Sequence, residues 1–239
     1  MSSEPNISKQ DLRAPSGFLD MAPGEAIQQQ RMLDIIRRRY EAAGYAPLET
    51  PLVERTSVLL AKAGGEIKTQ IYGLRLLNPA PGAEDDSTNL ALRFDLTVPL
   101  ARFVAAQHGT GSIQFPFRRY AIGSVFRGER PKRGRFRQFI QADIDVIGDG
   151  ELHLLHDAEM VDIIFRIFTE FNIGPFTIRI NNRKVLAGIL KSFGCDTEDK
   201  SSLLATKSTR SPRLATTQPP KDSKQSGWSL TRRVNCSMF

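Results

Sequence analysis

Residues 126–148 read FRGERPKRGRFRQFIQADIDVIG, and this stretch decides the fold. Its first half is a basic loop with the turn-forming residues Pro131 and Gly134. The loop carries six cationic side chains: Arg127, Arg130, Lys132, Arg133, Arg135 and Arg137. Its second half alternates apolar residues with Gln141, Asp143 and Asp145, which is typical of a strand. Since arginine offers a planar fork of donors for phosphate, the stretch predicts a polyanion site beside a site for a small cation.

Length and composition indicate a globular protein of one or two domains. The chain has 239 residues, of which 40% are hydrophobic. Its two cysteines, Cys195 and Cys236, have neither metal-ligand spacing nor the pattern of a disulfide framework, so we expect a reducing, cytoplasmic setting. No apolar run approaches the roughly 18 residues of a membrane span, and residues 1–17 lack the apolar centre of a signal peptide. We therefore expect no membrane segment.

The net charge of +7 is unevenly distributed along the chain. Residues 1–194 hold 25 Lys+Arg and 22 Asp+Glu, which gives +3, whereas residues 195–239 hold 8 and 4, which gives +4. More than half of the excess lies in the last segment, so the overall charge is weak evidence for nucleic-acid binding by the folded part. The basic loop remains a local signal.

Hydrophobic spacing predicts the main elements. A helix is expected over residues 25–43, ended by Gly44, and is followed by a strand over 45–54. A turn-rich loop over 78–89 precedes a short strand over 91–94 and a helix over 97–104. Two strands, 115–126 and 138–147, flank the basic loop. The remaining predictions are a helix over 154–171, a strand over 177–180 and a helix over 184–193.

The quoted stretch closely resembles motif 2 of the class II aminoacyl-tRNA synthetases, in the form used by histidyl-tRNA synthetases. The similarity runs from about Pro15 to Gly194. Four further stretches carry it, at 44–54, 64–74, 91–105 and 177–190. The resemblance implies an α+β fold with an antiparallel sheet of about six strands flanked by helices, incomplete in this chain. The helix and strand over 25–54 correspond to motif 1, which builds the dimer interface in the family.

The resemblance also sets the expected boundaries. Residues 1–14 form a flexible N-terminus, residues 15–194 the catalytic core, and residues 195–239 a disordered tail unrelated to the family. We interpret the sequence as truncated or shifted in reading frame after about residue 194, with a natural divergent extension as the alternative. A second histidine motif, motif 3 and an anticodon-binding domain, which follow in the family, are absent, and the activity of the chain alone is left open.

Amino-acid activation joins a carboxylate to the α-phosphate of ATP, so it requires positioning and charge stabilisation rather than a general base. The resemblance implies that Arg127 contacts the substrate carboxylate and the α-phosphate. It implies that Glu129 approaches the adenine and Arg135 the terminal phosphates. The alternative for a single loop arginine is a solvated charge, which we prefer for Arg130 and Lys132.

A histidine pocket needs carboxylates, because the ligand presents an ammonium group and an imidazole. The resemblance places Asp95 and Thr97 at the α-amino group, where Gln141 also helps, and assigns the imidazole to Asp145. Thr97 has helix capping as an alternative role. Asp145 has pairing with a nearby arginine as its alternative. Asp143 is expected to point to the other face and to be structural.

The leading interpretation is a histidine–tRNA ligase that uses L-histidine, ATP with Mg²⁺ and tRNA(His), and that forms a cytoplasmic homodimer. We expect no protein-held metal and no prosthetic group. The first alternative is a non-catalytic, histidine-binding regulatory subunit of ATP phosphoribosyltransferase, against which the complete arginine set of the loop argues. The second is a fragment that only dimerises or binds RNA.

Overall fold

The computed structural model describes residues 12–61, 65–78, 89–180, 188 and 191–192. The chain divides after Ile173 into two compact units. Some of the expectations above lie wholly or largely outside the described residues: those for 1–11, for the loop 78–89, for the helix 184–193 and for the tail 195–239. Residues 188, 191 and 192 are helical, in agreement with the helix predicted around them.

The first unit alternates helices with short and long strands. In chain order its elements are α1 (Pro23–Ala42), β1 (Ala46–Pro47), β2 (Val53–Arg55), α2 (Thr56–Leu60), α3 (Gly65–Lys68), β3 (Leu90–Leu92), α4 (Thr97–Gln107), β4 (Phe117–Phe126), β5 (Gln138–Ile147) and α5 (Leu155–Phe171). The predicted helices and the two long strands are thus confirmed to within a few residues.

The larger sheet has the strand order β1-β4-β5. Strands β4 and β5 form a ten-residue antiparallel hairpin whose register runs from Phe117↔Ile147 to Phe126↔Gln138. Strand β1 pairs in parallel with β4, which is a local departure from the antiparallel pairing expected of the sheet. Strands β2 and β3 form a separate antiparallel pair. Within the described residues β5 pairs with β4 alone, which leaves its other edge without a strand.

The single strand predicted over 45–54 is divided between the two sheets. Residues 46–47 join β4, whereas Val53–Arg55 joins β3. Proline cannot donate to a ladder, so Pro47 and Pro51 interrupt a continuous strand. Gly44 ends α1 with a φ of +80°, as expected for a residue that follows a helix in the left-handed region.

Helix α1 packs through its second half. Pro23 occupies its first position, where a missing N–H is harmless. The buried residues Ile36 and Tyr40 join a core formed with side chains of β4 and α5. Ile27 and Met32 belong to the predicted apolar face, yet they are 54% and 45% exposed. The N-terminal half of this face is therefore uncovered in the single chain.

A second, smaller core lies under the β2–β3 pair. It contains the buried residues Leu59, Ala91 and Phe94. Residues 72–74 extend this pair. The Leu74 N–H donates to the Leu90 carbonyl at 3.0 Å, and the Leu92 N–H donates to the Tyr72 carbonyl at 2.8 Å. The main chain of Arg93 then joins the two sheets: its N–H donates to the Leu52 carbonyl, and its carbonyl accepts from Phe126.

In the second unit the predicted strand over residues 177–180 is wrong, since residues 176–180 are in no strand. A strand requires a ladder with a neighbouring strand, and the described residues of this unit contain no strand. Within the part of the chain that the structure describes, no helix combines the length and the apolarity needed to cross a membrane.

Candidate active site

A cavity of about 340 Å³ lies beside the basic loop. Seven residues line it: Ile67, Gln70, Phe94, Asp95, Arg127, Glu129 and Arg135. Four of these were predicted from the sequence as site residues, and they come from the start of α4 and from the loop between β4 and β5. The cavity is within the usual size range of small-molecule sites. The other predicted residues, Thr97, Gln141 and Asp145, lie outside its lining.

Arg127 is fixed at the mouth of the β4–β5 hairpin. Its Nε donates to the Phe94 carbonyl at 3.0 Å, and its guanidinium lies 5.1 Å from the ring centroid of Phe139. Its main-chain N–H donates to the Arg137 carbonyl at 2.8 Å, which continues the hairpin by one pair. The side chain is therefore held by Phe94, between β3 and α4, and by Phe139 of β5, while Arg127 lines the cavity.

The loop beyond Arg127 turns sharply at its tip. Lys132 and Arg135 exchange two main-chain hydrogen bonds of 3.2 and 2.9 Å, and Gly134 takes a φ of +75° between them. This turn returns Arg135 towards Glu129, and their side chains form an ion pair at 2.7 Å. Glu129 is 16% exposed and Arg135 is 56% exposed, so the pair extends from the cavity lining into solvent.

The acidic residues of β5 share one face. Gln141 Nε2 donates to Asp143 Oδ2 at 2.8 Å. Burial raises the pKa of Asp143, and this hydrogen bond and the charges of Arg119 and Arg127 partly offset the rise. The expectation that Asp143 points away is therefore wrong. Side chains repeat every two residues in a strand, so positions 141, 143 and 145 must share a face. Asp143 is the site candidate that the sequence analysis set aside.

Arg119 on β4 is a residue that the sequence analysis missed. It lies directly opposite Asp145 in the ladder, its side chain is 1% exposed, and its Nη2 contacts Asp145 Oδ2 at 2.7 Å. The same nitrogen donates to the Leu96 carbonyl at 3.3 Å. The alternative reading of Asp145, pairing with an arginine, is thus what the structure shows. The Asp145 side chain is 31% exposed, so it remains accessible to a ligand.

Burial controls the ionisation of three nearby aspartates. It raises the pKa of Asp95, Asp143 and Asp145 above the ordinary value, and nearby arginines oppose the shift in each case. Burial lowers the pKa of Arg119, and the three carboxylates oppose that shift. Three acids therefore face two guanidinium groups, those of Arg119 and Arg127. When all are ionised, the cluster has an excess of one negative charge.

Three polar atoms in this cluster are buried without a hydrogen-bond partner among the described residues. They include Oε1 of Gln141, whose side chain is buried, and Nε of Arg119. The Arg119–Asp145 contact is close, but Asp145 Oδ2 also lacks a hydrogen bond of good geometry. An unsatisfied buried polar group is destabilising, so such groups mark places where a ligand or water can add a partner.

At the start of α4 the capping hydrogen bond comes from Asp95, the predicted ligand, and not from Thr97. Asp95 Oδ1 accepts the Val98 N–H at 3.0 Å, and this bond partly offsets the rise in the pKa of the carboxylate that burial causes. Thr97 is the first helical residue and its side chain makes no cap, so the capping alternative for Thr97 is wrong. Asp95 satisfies the helix terminus and also lines the cavity. One carboxylate therefore serves structure and site together.

The described residues contain no group of three His, Cys, Asp or Glu side chains placed to hold a metal ion. His156 is instead part of a polar cluster between β4 and α5, where its Nδ1 lies 3.4 Å from Glu159. Arg118 pairs with the same Glu159 and lies over the Tyr45 ring at 4.3 Å. This cluster joins elements of the core and lies apart from the cavity lining.

Comparisons with known proteins indicate one family. A sequence model of the family described as "Histidyl-tRNA synthetase" matches residues 17–219, which extends beyond Gly194, where the sequence analysis ended the resemblance. A histidine–tRNA ligase of Xylella fastidiosa (strain M12) is 51% identical over 186 residues, covering 76% of this chain and 40% of that relative. The chain thus spans about 40% of the length of the curated relatives it matches.

Solved structures show the same architecture. The histidyl-tRNA synthetase of Nostoc sp. PCC 7120 matches with a TM-score of 0.70 at 43% identity, over 85% of this chain and 45% of that chain. A protein from Bacillus halodurans C described as an ATP phosphoribosyltransferase regulatory subunit/histidyl-tRNA synthetase matches with a TM-score of 0.65, over 86% of this chain and 48% of that chain. At 23% identity it shows the fold alone.

The fold, with its sheet flanked by helices, is that of the class II aminoacyl-tRNA synthetases, as the sequence predicted. Within that class, the chain belongs to the histidyl-tRNA synthetase family.

Proposed function

We propose that this chain carries the N-terminal part of the catalytic core of a histidine–tRNA ligase. In this proposal L-histidine and ATP form histidyl-adenylate, and the histidyl group then passes to the 3′ end of tRNA(His). The observation that carries the proposal is the cavity that brings together Asp95, Arg127, Glu129 and Arg135. A site for an amino acid and a nucleotide requires a carboxylate for the ammonium group and cations for the phosphates. The carboxylate beside α4 and the loop arginines meet these two requirements.

The activation step makes a bond between a histidine carboxylate oxygen and the α-phosphorus of ATP. The bond from that phosphorus to the oxygen bridging to the β-phosphate breaks, and pyrophosphate leaves with both electrons. No proton moves, since the nucleophile is already ionised. Arg127 would hold the carboxylate and the α-phosphate oxygens together, and its fixed position at 3.0 Å from the Phe94 carbonyl makes this preorganised. Mg²⁺ would enter with the ATP phosphates rather than on a protein site.

Glu129 and Arg135 would bind the two ends of ATP, the adenine amino group and the terminal phosphates. Their mutual ion pair at 2.7 Å must then open as ATP enters. Exposed ion pairs contribute only about 0–1 kcal/mol, and Arg135 is 56% exposed, so this opening is a minor obstacle. The pair keeps both side chains at the cavity until the nucleotide replaces it.

The acidic cluster supports recognition of histidine. Its excess negative charge suits the α-ammonium group of histidine. We propose that this group is bound by Asp95, Thr97 and Gln141. The buried Gln141 Oε1 is free to accept a hydrogen bond, because only its Nε2 is bound, to Asp143. Asp145 would accept the imidazole N–H while Arg119 holds the carboxylate from behind. Arg127 would receive the carboxylate of the amino acid.

Two surface features support the proposed partners. The loop residues Arg130, Lys132 and Arg133 are exposed, which suits a phosphate backbone such as that of tRNA. Ile27 and Met32 on α1 are exposed and apolar, which supports a homodimer through the helix that corresponds to motif 1. A cytoplasmic location is part of the same proposal, because the substrates of translation are there.

The test is histidine-dependent exchange between ATP and pyrophosphate on purified residues 1–239, with the other amino acids as controls. Exchange with histidine alone supports the proposal and shows that this chain retains an activation site. Binding of histidine without ATP binding or exchange would favour the histidine-sensing regulatory subunit. A folded chain that binds neither ligand, but binds RNA in a salt-dependent, sequence-indifferent way, would contradict the proposal and support the RNA-binding alternative.

A further inference from the structure

We propose that residues 15–18, here called the N-terminal strap, act with Arg137 to position the ATP-contacting residues of the basic loop. This inference rests on the proposed function and adds a positioning device to it. Neither the strap nor Arg137 lines the cavity. Their effect is exerted through the main chain on either side of Arg127 and Glu129.

The strap is a tight turn with its carbonyls aimed at the loop. The Phe18 N–H donates to the Pro15 carbonyl at 2.9 Å, and Gly17 takes a φ of +86°. A positive φ at the third position is what a type II turn requires, and glycine adopts it without strain. The turn presents the carbonyls of Ser16 and Gly17 to the same neighbour, Arg137.

Arg137 connects the strap to both ends of the ATP-contacting segment. Its N–H donates to the Gly17 carbonyl at 2.7 Å, and its Nη1 donates to the Ser16 carbonyl at 3.0 Å. On the other side, its carbonyl accepts the Arg127 N–H at 2.8 Å, and its Nε donates to the Glu129 carbonyl at 3.1 Å. One residue thus makes four hydrogen bonds that join the strap to Arg127 and Glu129.

The approach of strap and loop is close enough to exclude a side chain at position 17. A Cβ on Gly17 would lie 2.7 and 2.8 Å from Cγ and Cδ of Arg137, and 3.1 Å from Cγ of Pro131. Arg137 cannot move away without losing its contacts to Ser16 and Glu129. Gly17 therefore meets two requirements at once, the turn conformation and the contact with the loop.

The loop is held from its other side as well. The Gly128 N–H donates to the Gln70 carbonyl at 2.7 Å, and a Cβ on Gly128 would lie 3.2 Å from that oxygen. The strap is linked to the same region of the chain, because the rings of Phe18 and Tyr72 form an edge contact with centroids 6.2 Å apart. Residues 127–129 are thus fixed between two segments that are distant in sequence.

This arrangement has a direct consequence for binding. A loop with several exposed cations would lose much conformational freedom when it closes on ATP, and that loss weakens binding. Fixing the main chain of Arg127 and Glu129 beforehand removes part of the loss, and a misplacement of about 1 Å at such groups can reduce the rate by about 100-fold. The N–H groups of Arg137 donate to main-chain carbonyls, so its role differs from the phosphate contact proposed for Arg135.

The test uses the 239-residue chain with Gly17→Ala, Arg137→Ala and Arg137→Lys. Gly24→Ala is the matched control, since a Cβ there meets nothing within 4 Å. Amide hydrogen exchange is measured for peptides covering 126–138 and for α5, and KM and kcat are measured for ATP and histidine in pyrophosphate exchange. We expect Gly17→Ala to speed hydrogen exchange in 126–138 alone and to raise the KM for ATP about 10-fold or more, with a smaller rise in the KM for histidine, because Arg127 also receives the histidine carboxylate.

Arg137→Lys separates positioning from charge. Lysine keeps the charge but cannot make both side-chain bonds, so we expect it to behave like Arg137→Ala. A wild-type KM for ATP in Arg137→Lys would show that charge alone matters and would overturn the proposal. Unchanged hydrogen exchange of 126–138 in Gly17→Ala would overturn it as well.

If the unaltered chain binds no ATP, the proposed function fails for this chain, while hydrogen exchange still decides the role of the strap. If Gly17→Ala unfolds, the two Arg137 variants decide it.

Discussion

Arg119 and Asp145 lie directly opposite each other in the β4–β5 ladder, and the Arg119 guanidinium contacts the Asp145 carboxylate at 2.7 Å from a position that is 1% exposed. Removing one partner of a fully buried ion pair typically costs about 3–5 kcal/mol, because a charge is left uncompensated. Asp145 is 31% exposed, so the loss at this pair belongs at the lower end of that range. The pair makes Asp145 a rigid acceptor at the acidic end of the site.

Asp145→Asn is expected to weaken histidine binding more than ATP binding. Asparagine keeps an oxygen for Arg119 but removes the charge that would attract the imidazole N–H. Calorimetric titration of both ligands measures the two affinities, with Asp145→Ala as the harsher variant, which we expect to lower the melting temperature as well. Equal losses for histidine and ATP in Asp145→Asn would count against a recognition role.

Arg127→Ala is expected to reduce histidine-dependent pyrophosphate exchange by about 10²–10³-fold, as is typical when one preorganised charge donor is removed. The variant should also lose affinity for histidine but not for histidinol, because histidinol carries a hydroxymethyl group in place of the carboxylate. Far-ultraviolet circular dichroism controls for folding. A parallel loss for both ligands would show that Arg127 supports the pocket rather than binding the carboxylate.

Asp143→Asn is expected to stabilise the protein at neutral pH. Burial raises the pKa of Asp143 above its ordinary value of 3.8, so the folded state disfavours the ionised form. This unfavourable effect is absent below the unfolded-state pKa and grows as the pH rises through the higher folded-state pKa. The melting temperature of the variant should exceed that of the unaltered chain at pH 7, and the difference should disappear below about pH 4.

The exposed Asp20→Asn serves as the control for this experiment. It should change the melting temperature little at any pH. A lower melting temperature of Asp143→Asn at pH 7 would mean that the attraction to Arg119 and Arg127 outweighs burial. A gain in stability with a loss of histidine affinity would place Asp143 among the residues that trade stability for binding.

Gly123→Ala is expected to destabilise the fold by about 1–3 kcal/mol. A Cβ at this position in β4 would overlap Nη2 of Arg93. That guanidinium cannot easily move, since its Nε and Nη1 donate to the Ser124 and Thr50 carbonyls at 2.9 and 2.8 Å. Chemical denaturation measures the loss, with Gly24→Ala as the control. A Gly123→Ala variant as stable as that control would show that Arg93 has an alternative position.

The helices and the long hairpin were predictable, because their periodic apolar positions extend over ten or more residues. The division of residues 45–54 was harder to foresee, since Pro47 and Pro51 mark a break but do not say that its two halves join different sheets. The error over residues 177–180 has a related cause. A β-branched run fits a strand, but the ladder that makes it one depends on a neighbour that local sequence does not reveal.

In the site, the loop residues were predictable because chemistry and motif agreed, whereas the acidic face was only partly so. Asp143 follows from the two-residue repeat, so that signal was present and was misread. Arg119 has no such signal, because it reads as one of two adjacent arginines. Only the hairpin register, with Phe126 opposite Gln138, places it across from Asp145. Projecting that register from the ends of the two predicted strands is the step that would have found it.

The contacts of the strap also bear on the order in which the protein folds. Ser16 and Arg137 are 121 positions apart, whereas the pairs of the β4–β5 hairpin form across a single loop. Closing a long segment of chain is slower than zipping a hairpin, so the strap should dock after the acidic face is complete. A refolding chain is then expected to regain histidine binding before ATP binding. The acidic face and the ATP-contacting loop would form at different times, because they depend on contacts with very different separations in sequence.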